Sequence, residues 1–312
     1  MSRFNMESKR IIRFCTIAFG FTWLVAGIGW SLGITTETLV PYMVVAALCM
    51  LGPAIAAIIL QRKVDGLPWS DLGFVIKGTQ WRVLVLTAAM GMLLVPLYLL
   101  IQHVLGDRLG IAAFGHAAVS DERLTIAISD IMAQFGKDEP IADSVLSGMP
   151  AWAVLLIIQV AALFSAFSLN LIFMLGEELG WRGYLYQVTE HWSGIRRIAL
   201  TGVLWGLWHA PLIAMGHNYP GYPVVGIGMM VLFCLLAGFL FDWTRARSGS
   251  IWSSAMLHGL INGTAIGSSL FGWGGHPLVG SIVGVGGFIT MAVFIVAIVA
   301  MDRDYRGQLM RS

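Results

Sequence analysis

Charge is what this chain has least of. Only 12% of its 312 residues are Asp, Glu, Lys or Arg, against 57% hydrophobic, whereas soluble domains carry about 25% charged residues. That excludes an ordinary soluble domain and points to a chain solvated by a lipid bilayer. A net charge of +2 gives no basic surface for nucleic acid, so no such partner is expected. Cysteine is scarce as well. Cys15, Cys49 and Cys234 all fall in apolar stretches without CxxC spacing, which excludes a disulfide framework and suits buried small hydrophobes. Internal repeats and low-complexity tracts are missing. The first apolar run, 11–33, is too long for a cleavable signal peptide, and no small-residue cleavage site follows a short apolar region.

Long apolar segments are what the chain does have. A spanning helix needs about 20 mostly apolar residues. Segments of that kind fall near 11–33, 39–61, 81–105, 151–176, 196–216, 224–243, 250–271 and 280–301. The expected fold is an all-α polytopic membrane protein, a bundle of about eight transmembrane helices. The fourth segment is expected to bend into a second helical piece carrying Glu177 to Val188. The stretch from Gly106 to Pro150 is acidic (Asp107, Asp121, Glu122, Asp130, Asp138, Glu139 and Asp143) and is expected to hold a short surface helix from Asp121 to Phe135. One integral membrane domain then has three parts: a three-span region with its acidic loop (1–150), a core (151–271), and a last span with its tail (272–312). Lys and Arg mark the cytoplasmic side. With a cytoplasmic N-terminus and eight crossings, every one except Arg108, Arg123 and Lys137 falls on that side. Both termini are therefore expected in the cytoplasm, at the plasma membrane if the cell is prokaryotic.

Three polar clusters interrupt the apolar sequence: Glu177-Glu178-Leu179-Gly180-Trp181-Arg182, Trp205-Gly206-Leu207-Trp208-His209, and His258-Gly259-Leu260-Ile261-Asn262. Ionisable groups at lipid depth are costly and are rarely there without a partner or a task. Glu178 and Arg182 share one helix face at i, i+4, which suits an ion pair. Glu177 is turned about 100° from Glu178 and is free for other chemistry. His209 precedes Ala210-Pro211, and the proline should loosen the helix at the imidazole. Trp205, one turn earlier, can stack on or wall that ring. His258 and Asn262, again i, i+4, can both donate to one developing negative charge. Counting residues into each span, the clusters are expected to meet in the cytoplasmic half of the bilayer. Glu177, His209 and His258 would also make a His₂Glu set of the kind zinc uses with a bound water, so the cofactor is either none or a divalent metal such as Zn. His217-Asn218 and His276-Pro277 read as turn chemistry in outer loops; His103, His116 and His191 read as loop or surface residues.

These motifs resemble those of the CPBP family of intramembrane proteases, which includes the type II CAAX prenyl endopeptidases and the Abi-type immunity proteins. The family pattern is Glu-Glu-x-x-x-Arg, then an aromatic-x-x-x-His, then His-x-x-x-Asn. Here it is met by Glu177, Glu178 and Arg182, by His209, and by His258 and Asn262; Trp205 stands where the family more often has Phe. The resemblance implies an endopeptidase that activates a water near the cytoplasmic membrane face. Glu177 would be the base, His209 would position the water, and His258 with Asn262 would form the oxyanion hole. Glu178 and Arg182 would orient the helix or the substrate. The partner implied is a membrane-associated protein or peptide. Two other classes fit the composition: a non-catalytic member that binds peptides or confers immunity, and a transporter with a proton-relay carboxylate. The transporter would be expected to show repeated halves.

Overall fold

The computed structural model describes residues 3–76, 79–134, 148–168 and 170–311. Lys77, Phe135, Lys137, Asp138, Glu139 and Asp143 lie outside the described residues. The chain is helical nearly throughout. In order come α1 (Arg3–Ser31), α2 (Leu39–Cys49), α3 (Gly52–Ile59), α4 (Trp81–Gln102), α5 (Asp121–Gln134), α6 (Ala151–Ala166), α7 (Leu171–Glu178), α8 (Leu185–Thr189), α9 (Gly194–Trp208), α10 (Ala210–Ala214), α11 (Pro223–Ser248), α12 (Ile251–Phe271), α13 (Pro277–Gly280), α14 (Val285–Met301) and α15 (Arg303–Leu309). A two-residue ribbon, His116–Ala117 with Gly272–Trp273, pairs antiparallel.

Among the described residues each of the eight expected segments is largely helical. Among the described residues, five helices are by themselves long and apolar enough to cross a membrane: Asn5–Ser31, Leu39–Val64, Trp81–Arg108, Pro223–Ser248 and Pro277–Met301. Ala151–Ala166 with Leu171–Thr189, bent by 63°, makes a sixth if the pair is one span. The other two expected segments fall short for physical reasons. α9 has 15 residues, about 22 Å of rise, before the break at His209. α12 has 21 residues but its hydropathy is lowered by Ser253, Ser254, His258 and Ser268, which its neighbours cover, and by Asn262. The fourth segment does bend, but earlier than expected, between Ala166 and Leu171, so that the second helical piece begins before Glu177. The break beside Pro211 is present: the His209 N–H reaches back only to the Gly206 carbonyl, at 3.2 Å. The surface helix over the acidic stretch is α5, and Asp121 Oδ1 accepts from the Ala151 N–H at 2.6 Å, tying the two ends of that stretch together.

Local chemistry places the central helix. Pro223 starts α11 at a position where no N–H is needed. Gly249, with φ of 73°, ends it, and Ser250 caps α12 by accepting from the Trp252 N–H. α12 then packs on α4, α6, α7 and α11. Against α6 the approach is close: a Cβ added at Gly259 would lie 2.7 Å from Ala166 Cβ, and one at Gly263 2.8 Å from Ala162 Cβ. Small residues four apart allow such contact in lipid, where packing rather than water expulsion drives helix association.

The two ends of the bundle differ. At the end carrying most Lys and Arg, Arg197 clamps Asp242 with Nε at 2.5 Å and Nη2 at 2.9 Å, and the Tyr305 hydroxyl donates to the same carboxylate at 2.7 Å. Arg10 pairs with Asp65 at 2.8 Å, and Tyr184 donates to that carboxylate at 2.9 Å. At the opposite end Asp107 gathers His103 Nδ1 at 2.9 Å, His116 Nδ1 at 2.6 Å and the Ala117 N–H at 3.1 Å, and loops pack through bonds such as Tyr219 hydroxyl to Val283 carbonyl, 2.8 Å, and Tyr98 hydroxyl to Gly280 carbonyl.

Candidate active site

α7 delivers the two glutamates, and a wider π-helical turn, Leu179–Tyr184, follows at once. Such turns inside α-helices are frequent at functional sites. Glu177 and Glu178 are 3% and 0% exposed, and the one-residue offset sends them to different partners. Glu178 Oε1 accepts from Arg182 Nη1 at 3.1 Å, the ion pair expected from i, i+4 spacing. The same oxygen lies 2.9 Å from His258 Nδ1, a contact across 80 residues. The Arg182 guanidinium is held between the Trp205 and Phe241 rings, 4.4 and 4.3 Å from their centroids, a cation–π arrangement that shields the charge from lipid.

Glu177 turns the other way and accepts from Trp205 Nε1 at 2.7 Å. Trp205 is therefore more than an aromatic wall: its indole N–H, which a phenylalanine lacks, fixes one carboxylate oxygen. One turn on, His209 Nδ1 lies 2.8 Å from the Trp205 carbonyl. A carbonyl only accepts, so Nδ1 carries the proton and Nε2 of the neutral ring is left with its lone pair. α1 anchors this break. Trp208 Nε1 donates to Thr22 Oγ1 at 2.8 Å, and Trp23 Nε1 donates to the Trp208 carbonyl at 3.2 Å.

One cavity of about 310 Å³ joins these groups. Five of the seven residues singled out by sequence line it: Glu177, Trp205, His209, His258 and Asn262. Glu178 and Arg182 stand behind the lining and hold His258. Asn262 Nδ2 contacts Met174 Sδ at 3.6 Å and is exposed, while His258 one turn away is 5% exposed. Two lining residues were not expected. His217, read as turn chemistry, stacks parallel to His209 with ring centroids 6.3 Å apart and 3° between planes, and Asn218 lies beside it. The turn itself is real, with Asn218 at φ of 59°, but it folds the histidine back into the bundle. The sequence signal was the helix break at Pro211, which frees the following residues to turn inward.

The site residues lie at different distances along their helices. His258 is seven residues into α12, about 10 Å from the basic end, while Asn262 is about 16 Å from it. His209, at the far end of α9, is farther still, so the cavity extends past mid-bundle. Glu177, His209 and His258 do not come together as a metal-ligand set: among the described residues, no group of three or more His, Cys, Asp or Glu side chains is placed to hold an ion.

The family comparison falls on the segment that carries these residues. Residues 150–264 match the family described as type II CAAX prenyl endopeptidase Rce1-like. The chain is 32% identical over 93 residues to the CAAX prenyl protease 2 of Methanococcus maripaludis, a match covering 28% of this chain and 34% of that relative. The match thus spans about a third of that protein's length. Motif order and family match agree on one segment, and residues 150–264 of this chain are similar to the type II CAAX prenyl endopeptidases of the Rce1-like family.

Proposed function

We propose that this protein is an intramembrane endopeptidase that cleaves a peptide bond with a water activated by Glu177. The observation that carries the reading is the meeting of Glu177, His209, His258 and Asn262, from three different helices, on one cavity. With Oε2 fixed by Trp205, the other Glu177 oxygen is free to take a proton from a water. His209 Nε2, its tautomer set by the Trp205 carbonyl, orients that water. His258 gives Nδ1 to Glu178 and keeps Nε2 for the cavity; carrying a proton there, it donates with Asn262 Nδ2 to the oxygen that gains charge in the tetrahedral intermediate. Arg182 neutralises Glu178 so that this support stays in place. No step is routed through a metal, since the three candidate ligands do not form a set.

The relative's name makes a prenylated CaaX C-terminus the first substrate class to try, beside unprenylated apolar peptides. The test is cleavage by the purified full chain in detergent or liposomes, with Glu177→Gln as the paired variant. Cleavage by the parent and none by a Glu177→Gln protein with unchanged thermal unfolding supports the reading. Equal cleavage by both removes Glu177 as the base and the endopeptidase mechanism with it.

A further inference from the structure

One imidazole of the cavity has no part in the mechanism above. His217 lines the same space as Glu177 and His209, with its ring parallel to that of His209 and 6.3 Å from it between centroids. The backbone puts it there. The His217 N–H donates to the Leu212 carbonyl at 3.0 Å, and the Tyr219 N–H donates to the His217 carbonyl at 2.6 Å. Gly216 has φ of 100°, and a Cβ there would collide with Thr36 Oγ1, so glycine lets the loop between α1 and α2 close on this turn. The Thr36 N–H completes that contact by donating to the Met215 carbonyl at 3.1 Å. Beyond the turn Tyr219 is fully buried, and its hydroxyl donates to the Val283 carbonyl at 2.8 Å. Tyr42 packs beside the imidazole, 6.0 Å between ring centroids. The turn is thus tied to α10, to the α1–α2 loop and to the segment before α14, and the imidazole has a fixed place.

His209 Nδ1 is spent on the Trp205 carbonyl, and Nε2 keeps its lone pair. Among the described residues the His217 ring has no hydrogen-bond partner in the protein. Polar groups inside a bundle almost always have one, and the cavity is where it can reach this ring. The spacing selects its size. Centroids 6.3 Å apart are too far for a direct ring-to-ring bond, while two bonds of about 2.9 Å through one water join nitrogens about 5 Å apart. A buried water also needs room and two to four polar partners. The cavity of about 310 Å³ gives the room, and Glu177, His209 and His217 give the partners. Resting on the endopeptidase reading for its chemistry, we infer that His217 shares with His209 the water that Glu177 activates. The water gives one O–H to the Glu177 carboxylate and the other to the His209 Nε2 lone pair. Neutral His217 donates its single N–H to the water oxygen. Three of the four directions around that oxygen are then filled, and the fourth, a lone pair, faces the carbonyl carbon. In the step one O–H bond breaks and its proton goes to Glu177. The lone pair forms the C–O bond, and the carbonyl π pair moves to the oxygen beside His258 and Asn262. His217 keeps its proton throughout; its contribution is orientation.

Two measurements on the full chain test this, one of them without any cleavage. The first is a structure at a resolution that shows ordered water, for the parent and for His217→Ala. The parent should hold one water within about 3.2 Å of both His209 Nε2 and a His217 ring nitrogen, and His217→Ala should lose or displace it. A parent without a water between the two rings, or a water that stays in place in His217→Ala, overturns the inference. The second is steady-state hydrolysis of whichever prenylated or apolar peptide the parent cleaves, and of its depsipeptide, in which an ester replaces the scissile amide. His217→Ala should lower kcat by about tenfold, with KM and thermal unfolding held, and by the same factor for peptide and ester, since one water attacks both. His217→Gln, which keeps an N–H donor, should recover most of the rate. A loss confined to the peptide puts His217 on the leaving nitrogen, and a rise in KM with kcat held puts it on the substrate; either overturns the role on the water. A bridging water in a parent that cleaves neither compound would leave the shared water as inferred and remove the protease reading alone.

Discussion

Two buried arginine–carboxylate pairs lie close together in this bundle and are built differently. Arg197 and Asp242 meet through two parallel bonds, and the remaining valences are filled as well: Tyr305 donates to Asp242, and Arg197 Nη1 reaches the Glu190 and Trp192 carbonyls at 3.4 and 3.5 Å. That pair joins α9, α11 and α15 and closes the basic end. Arg182 and Glu178 meet through one bond only, and Glu178 Oε2 and Arg182 Nη2 have no hydrogen-bond partner. What Glu178 does instead is hold His258. The first arrangement is a clamp between helices; the second serves to place an imidazole on the cavity. The contrast lies in satisfaction and not in residue type, since both pairs are fully buried and both use arginine.

The comparison can be broken from either side. The largest effect belongs on the cavity side. Glu177→Gln keeps the shape of the side chain and an acceptor for Trp205 but removes the base, and a positioned general base contributes about 10²–10⁴-fold. Activity should fall by that much with the unfolding temperature held. Next comes the clamp. Asp242→Ala leaves Arg197 buried without its partner, and breaking a buried pair costs about 3–5 kcal/mol. Thermal unfolding in detergent should show a large loss, and the fraction that remains folded should cleave at nearly the parental rate. A drop in specific activity of folded protein as large as that of Glu177→Gln would mean that the two pairs are not separate in function.

The helices of this fold are readable because each needs about 20 apolar residues in a row. The Glu178–Arg182 pair is readable because it sits within one turn. The bridge from Glu178 to His258 is not, since it joins residues 80 apart and depends on how α7 and α12 cross. Nor is His217: its turn is plain from Asn218 and the Tyr219-Pro220-Gly221 that follows, but which way a turn folds is decided by the helices beneath it. Residue counting gives distance from a helix end and is silent about which way a cavity opens. For that reason the count places His258 nearer the basic end of α12 than Asn262 and says nothing of the cavity they share.

Asn262 stands third. Its exposed position and its contact to Met174 Sδ make it the outer of the two donors proposed for the oxyanion. Asn262→Ala leaves His258 in place, and losing one such donor costs about 10²–10³-fold in kcat. A steady-state comparison should show kcat reduced with KM little changed and folding intact. If instead KM rises and kcat holds, Asn262 binds substrate and the oxyanion is served by His258 alone.

The smallest effect sharpens the comparison most, because it alters the satisfaction of one carboxylate and nothing else. Trp205→Phe keeps an aromatic ring over Arg182 and beside His209, and removes only the N–H that donates to Glu177 Oε2 at 2.7 Å. A hydrogen bond to a charged group is worth about 1.5–3 kcal/mol. Part of that loss falls on the folded state and part on the placement of the base. Because the base is still Glu177 in this variant, the bond orients that carboxylate and does not create its reactivity. Cleavage by Trp205→Phe should therefore fall by about tenfold, all of it in kcat, since Glu177 is placed against the water and not against the peptide. Trp205→Ala should do worse, because it also uncovers the Arg182 guanidinium. Equal rates for Trp205→Phe and the parent would show that the Glu177 carboxylate holds its place without the indole. A loss as deep as that of Glu177→Gln would make the indole N–H part of the chemistry and place Trp205 among the groups that meet the reacting water.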